Sequence, residues 1–154
     1  MAMTELDDPT PLRGLPLYGR LHDVVRLVDA VEPLYVRYSE DPLDDVGGRS
    51  RDGESGLLLP GLSASPLTPE GWWTRPVEQW VARQLMKYRH LEREGDGRVA
   101  WILTGSEVGR GPDAEPLLAD VIPVAVLAET VLEEADDLYS VAFDRGQRVA
   151  DSRQ

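Results

Sequence analysis

The 154-residue chain has no cysteine and two histidines, His22 and His90. The first absence excludes disulfides and thiolate metal sites, and the second excludes a histidine-rich metal centre. No apolar run approaches the ~18 residues that a membrane-spanning helix needs. The first ten residues, MAMTELDDPT, are acidic and carry no apolar stretch, unlike a secretory signal. A cytoplasmic location is therefore the default expectation. Basic residues are scarce as well, 16 against 28 acidic ones, for a net charge of −12. Such a charge repels phosphate backbones, so a small molecule or a protein is expected as partner rather than nucleic acid. No G-x-S-x-G is present, and no Walker or G-x-G-x-x-G pattern lies between a strand and a helix. What remains is an ordinary globular composition, 42% hydrophobic and 29% charged, too rich in large apolar residues for a disordered chain.

The length suits one domain, expected over residues 18–143 between a loose Pro-rich arm (1–17) and a frayed polar tail (144–154). GRLHDVVRLVDAV places Leu21, Val24, Val25, Val28 and Val31 on one helical face, and Pro33 stops that helix. LYVRYS (34–39) alternates as a strand, with Tyr35 and Arg37 on one side and Leu34, Val36 and Tyr38 on the other. Residues 40–56 read as a long polar, Gly-rich loop with Gly47 and Gly48 as hinges, the shape of a lid. TPEGWW resembles a helix entry with Thr68 as N-cap. RPVEQWVARQLMKYRHLERE is a helix carrying Val77, Trp80, Val81, Gln84, Leu85, Tyr88 and Leu91 on one face, stopped by Gly95 and Gly97. RVAWILTGSEV is a strand, GRGPDAE a turn, and PLLADVIPVAVLAETVLEEADDLY a strand leading into a helix with a boundary at Pro123. Strands and helices out of strict alternation predict an α+β fold, a small mixed or antiparallel sheet packed against two to three helices.

For most chemistry-bearing residues the bland reading is the better one. Trp80 belongs to a core-facing helix stripe, and of the adjacent Trp72 and Trp73 one is placed to cover a pocket. His90 near a helix C-terminus is favoured by the helix dipole, and His22 is expected to be exposed. The acidic run Glu133–Asp137 is a solvated helix face. Arg49, Arg51 and Arg110 sit in Gly-rich turns that can hold an anion through main-chain N–H groups. What stands out is Arg37 on a strand, Ser63 and Ser65 in GLSAS, and Glu115 opening a later strand.

LYVRYS, PGLSASPLTPE and DAEPLL, in that order, resemble the arginine, Ser-Thr-Ser, glutamate sequence of ADP-ribosyltransferases. That resemblance implies an NAD-binding enzyme in which Arg37 grips the dinucleotide, Ser63 and Ser65 prop the site, and Glu115 grips the nicotinamide ribose. A carboxylate at that ribose stabilises the positive charge formed as the nicotinamide bond breaks, and a guanidinium fork holds the pyrophosphate. Tyr35, Tyr38 and Trp72 are the candidates to contact the cofactor, the tyrosines by stacking on its ring. The sequence departs from the family pattern at Ala64, where threonine is usual, and at Asp113, where arginine-modifying members carry glutamate. The longer run LYVRYS, PGLSASPL, WW, WVARQL and GRGPDAEPLL is similar to a family of small uncharacterised actinobacterial proteins, which implies no chemistry.

Three readings stay open at this level. One is an NAD-consuming transferase-like enzyme. Another is a non-catalytic binding or regulatory module that meets a protein partner through its acidic surface and Trp-rich segment. The third is a small-molecule binder or biosynthetic accessory enzyme with residues 40–56 as its lid.

Overall fold

The computed structural model of the chain describes residues 14–87, 89 and 97–144. The expectations for His90, Tyr88, Leu91, Gly95 and the tail from 145 lie outside the described residues. In chain order the elements are β1 (Leu17–Tyr18), α1 (Leu21–Ala30), β2 (Tyr35–Ser39), α2 (Pro42–Val46), β3 (Leu62–Ser63) and β4 (Ser65–Pro66). They continue with α3 (Val77–Met86), β5 (Val99–Arg110), β6 (Pro116–Leu127), α4 (Glu129–Tyr139) and a closing π turn (Ser140–Asp144).

The long β5–β6 hairpin is the frame, and β2 adds antiparallel to its β5 side. β1 adds parallel to β6 through Leu17 and Tyr18, opposite Val126 and Leu127, so the chain is already attached at the end of the expected arm. Three register shifts along the hairpin let it bend strongly, as bulges do. Pro123 pairs with Leu103 beside one of them, so β6 runs through the proline instead of ending there. Closure comes from residues 62–66. Leu62 and Ser63 pair with Leu118 and Leu117 of β6, whereas Ser65 and Pro66 pair with Val36 and Tyr35 of β2. The strand changes neighbour at Ala64, and the sheet is thereby joined through β2, β5 and β6 into a ring. Gly61 permits the approach, since a Cβ there would lie 2.7 Å from the Leu118 carbonyl oxygen.

Period-two alternation decides which side chains enter the ring. Tyr35, Leu62, Ala64, Trp101, Leu103 and Leu118 form a buried cluster on its concave side. Leu34, Val36, Tyr38, Ala100, Ile102 and Ala125 face outward and meet the helices. The helices present the stripes their periodicity predicts: Leu21, Val24 and Val28 from α1, Val81, Ala82 and Leu85 from α3, and Val131, Leu132 and Ala135 from α4. α3 packs mainly on α4, and α1 touches both. The result is a single compact α+β domain.

Two local readings change. Residues 40–56 contain the short helix α2, with Pro42 in its first turn. No helix begins at Thr68, because its hydroxyl accepts from the Leu34 N–H (3.0 Å) and ties the segment to the head of β2.

The N-terminus of α1 has no cap from its own Arg20. Instead the Leu21 N–H donates to Glu134 of α4 (2.7 Å), and Arg20 donates to the same carboxylate (3.0 Å). The Leu21 bond, with Arg20 adding to it, holds the Glu134 carboxyl below the ordinary glutamate value. A lowered folded-state value contributes stability above the unfolded value and loses it as pH falls through the folded one. Glu134→Gln is thus expected to cost up to about 1 kcal/mol at neutral pH, as befits an exposed cap and ion pair. That cost should vanish in acid. Urea unfolding near pH 7 and near pH 3 checks it, and an equal cost at both would exclude the ionised carboxylate as its source.

Candidate functional site

Where the strand at Ala64 leaves β2 for β6, a gap opens between the second half of β2 and β3. A cleft of about 190 Å³ occupies it, lined by Arg37 and Tyr38 of β2, Ser63, Ala64 and Ser65, Arg98 ahead of β5 and Glu115 ahead of β6. Arg37, Ser63, Ser65 and Glu115 thus border one hollow, although the first and last lie 78 positions apart in the sequence.

Each polar wall has a definite setting. Arg37 pairs across β2–β5 with Trp101, so its side chain leaves the sheet on the concave side. Its Nε–H donates to Asp45 of α2 (2.9 Å), and one terminal nitrogen donates to the Ser63 carbonyl (2.8 Å) and to the Ser63 hydroxyl (3.2 Å). Asp45 also accepts from the buried Ser39 hydroxyl, which in turn accepts from the Trp101 indole N–H (2.9 Å). Ser50 completes the floor. Its hydroxyl accepts from the Ser63 N–H (2.9 Å) and lies 3.1 Å from the Ser63 hydroxyl. The guanidinium is therefore held flat, and its second terminal nitrogen has no hydrogen bond among the described residues. Arg98 lies 3.6 Å from Glu40.

Ser65 differs from Ser63. Its residue is 2% exposed, yet its hydroxyl borders the cleft and has no hydrogen bond among the described residues. Glu115 is half-buried. One of its oxygens accepts from the Asp113 N–H (2.9 Å), and the tight turn Gly111–Glu115 holds it there through two main-chain bonds. A Cβ at Gly111 would meet the Glu115 carboxylate, so a side chain there would force that carboxylate to move.

The other candidates are engaged differently. Tyr35 is inside the ring and touches a separate depression beside Glu107 and Arg110. Burial, with the Glu107 carboxylate adding to it, pushes its phenol up. Tyr38 borders the cleft with its backbone side but donates its hydroxyl to the Leu85 carbonyl (2.8 Å) in the helix-facing core. Trp72 is 65% exposed and lines a neighbouring groove. The arginines of the Gly-rich turns are engaged locally: Arg49 on the Leu59 carbonyl, Arg51 on that of Gly56, and Arg110 on that of Ala114. His22 is exposed. No group of three acidic or histidine residues fit to hold a metal occurs among the described residues.

The segment expected as a lid is tied down. The Ser50 N–H donates to the Gly61 carbonyl and the Ser50 carbonyl accepts from the Leu59 N–H, Asp52 bonds Leu57, and Asp45 holds Arg37. On the solvent side of α2, Asp41 is the main cause of a raised Asp44 carboxyl. Sequence reasoning singled out Arg37, Ser63, Ser65 and Glu115, which border this cleft, but not Asp45, Ser39 and Ser50, which hold Arg37 and Ser63 in place, nor Arg98, which also lines it. The one signal for Asp45 was the acidic DPLDD stretch directly after the strand.

Among comparisons with known proteins, the model of a family of unknown function (DUF6098) matches residues 12–150, so the chain belongs to that family. No curated protein and no solved structure matches it. No helix among the described residues is long and apolar enough to cross a membrane.

Proposed function

We propose that this member of the DUF6098 family is a nucleotide-binding protein that receives the phosphates of its ligand at Arg37, with NAD as the ligand the transferase resemblance singles out. The observation that carries the reading is the approach of Arg37, Ser63, Ser65 and Glu115 to one cleft in which the Ser65 hydroxyl has no internal partner. A guanidinium clamped by Asp45 and Ser63 offers its remaining N–H groups in a fixed orientation, the preorganised arrangement that favours phosphate oxygens. Ser65 supplies a hydroxyl that a ligand can satisfy.

In the transferase form of this reading, Glu115 stabilises the ribosyl cation as the bond to nicotinamide breaks. That role requires its carboxylate to release the Asp113 N–H and turn inward. Binding does not require that movement, so binding is the better supported half.

Calorimetry with NAD and with ADP-ribose, alongside a nicotinamide-release assay, tests both halves. Arg37→Gln is expected to weaken either ligand by about tenfold to a hundredfold, the effect of losing a charge-assisted bond. Nicotinamide release that disappears in Glu115→Gln with binding retained is the expected signature of transfer. Absence of heat at millimolar ligand, or binding indifferent to Arg37, would sink the proposal.

The exposed indole of Trp72 supports a second reading, a non-catalytic module that meets a protein partner through this aromatic corner. In that case the same calorimetry stays silent.

A further inference from the structure

Beyond Ser65 and Glu115 the molecular surface dips again. A second groove of about 190 Å³ shares both residues with the Arg37 cleft and extends to Trp72, Trp80, Arg83 and Gln84. The two hollows thus adjoin at the same serine and glutamate.

The far groove has the features of a built site. Trp72, Trp73 and Trp80 form a mutual edge-to-face cluster, with centroids 5.2 to 6.1 Å apart. Trp73 and Trp80 anchor it by donating their indole N–H groups to the Pro76 and Pro66 carbonyls. Trp72, most of whose surface is open, is consequently held rigid at no cost to be met on binding. The Arg83 guanidinium lies 5.6 to 5.8 Å from all three rings and has no carboxylate partner among the described residues. Gln84 is 4% exposed, and its side-chain amide borders the groove without a hydrogen bond among the described residues. The Gln84 amide and the Ser65 hydroxyl are not among the buried polar atoms that lack a partner, so both are open to the groove and free to meet a ligand.

We infer that this groove is a subsite for a planar heteroaromatic ring with a donor–acceptor edge, stacked on Trp72, with its edge read by Gln84 and its tether crossing Ser65 and Glu115 to the phosphate at Arg37. The inference rests on the nucleotide reading of the cleft and names the other end of that ligand. An amide side chain matches such an edge because it offers one donor and one acceptor side by side, as glutamine does to adenine. A carboxamide on a pyridine ring presents the same pair, so a purine and a nicotinamide are equivalent sources of this chemistry.

The test titrates the full chain with adenosine monophosphate, nicotinamide mononucleotide and ring-free ribose 5-phosphate, followed by calorimetry and tryptophan fluorescence. At least one mononucleotide is expected to bind about tenfold tighter than ribose 5-phosphate, the size of a base–aromatic stack, and to quench fluorescence. The tighter of the two identifies the ring. Trp72→Ala and Gln84→Ala should each remove most of that advantage while leaving ribose 5-phosphate within twofold. Trp72 is exposed and Gln84 has no partner to lose, so both variants are expected to fold. Arg37→Gln should weaken all three ligands. If all three depend on Arg37 but the mononucleotides keep their advantage in both groove variants, the ring subsite is wrong and the cleft reading stands. Mononucleotide binding sensitive to Trp72 and Gln84 but not to Arg37 would keep the subsite and remove the phosphate clamp. No binding of any ligand at millimolar concentration would overturn both.

Discussion

Trp101→Ala is expected to lower the free energy of unfolding by about 4 kcal/mol and the thermal midpoint by roughly 10 °C. Trp101 is fully buried at the centre of the ring's concave side, where a truncated indole leaves a cavity that the closed sheet cannot collapse to fill. Its N–H also anchors Ser39, and Ser39 anchors Asp45, so the loss propagates to the clamp on Arg37. Trp101→Phe keeps most of the volume and removes only the N–H. It should cost about 1 to 2 kcal/mol, mostly for the lost hydrogen bond at the buried Ser39 hydroxyl, which keeps its bond to Asp45 but loses its donor. Urea denaturation of the two variants separates packing from hydrogen bonding, and equal losses would refute the assignment of most of the effect to volume.

Arg37→Ala is expected to destabilise the fold by about 2 kcal/mol and to abolish measurable nucleotide binding. The Arg37 and Asp45 side chains are 22% and 27% exposed. Their pairing therefore falls between the surface case, worth about 0 to 1 kcal/mol, and the fully buried case, where removing one partner costs about 3 to 5. Arg37→Ala also removes the donor to Ser63, loosening the wall that β3 forms. Asp45→Ala should cost a similar amount, because both Arg37 and Ser39 lose their acceptor. The double variant should be less damaging than the sum by about 1 kcal/mol, the coupling of a direct pair. Chemical denaturation of the four proteins in the cycle measures it. A coupling near zero would show that α2 does not hold the guanidinium. Asp45 is a positioning residue in this account. Asp45→Asn, which keeps an acceptor, should restore most of the stability and the ligand affinity that alanine removes.

The elements with strong periodicity were legible from sequence. The stripes Leu21, Val24, Val28 and Val81, Leu85 announced α1 and α3, and the alternation in LYVRYS put Arg37 and Tyr38 on opposite faces, as found. α2 escaped because five residues complete little more than a turn and show no period. Thr68 looked like a helix cap because the Ser/Thr preference for N-caps is local, whereas its actual partner, Leu34, is 34 positions away. Pro123 looked like a break because it cannot donate to a ladder, but the neighbouring register shift absorbs it. For the site, residue types pointed to Arg37, Ser63, Ser65 and Glu115. The residues that orient them, Asp45 and Ser50, come from an irregular segment whose placement follows from sheet closure, and closure leaves no short-range trace.

The change of neighbour at Ala64 has a consequence for how occupancy and cohesion are linked. Three of the five residues that latch the hoop, Ser63, Ala64 and Ser65, are also one bank of the hollow. A guest resting against Ser63 and Ser65 leans on the latch itself, and any fluctuation that unfastens 62–66 from Leu118 or Val36 dissolves the hollow at the same moment. Occupied molecules are thus those whose hoop is shut, which makes the main-chain amide of Ala64, bonded to the Pro116 carbonyl, a natural reporter of both.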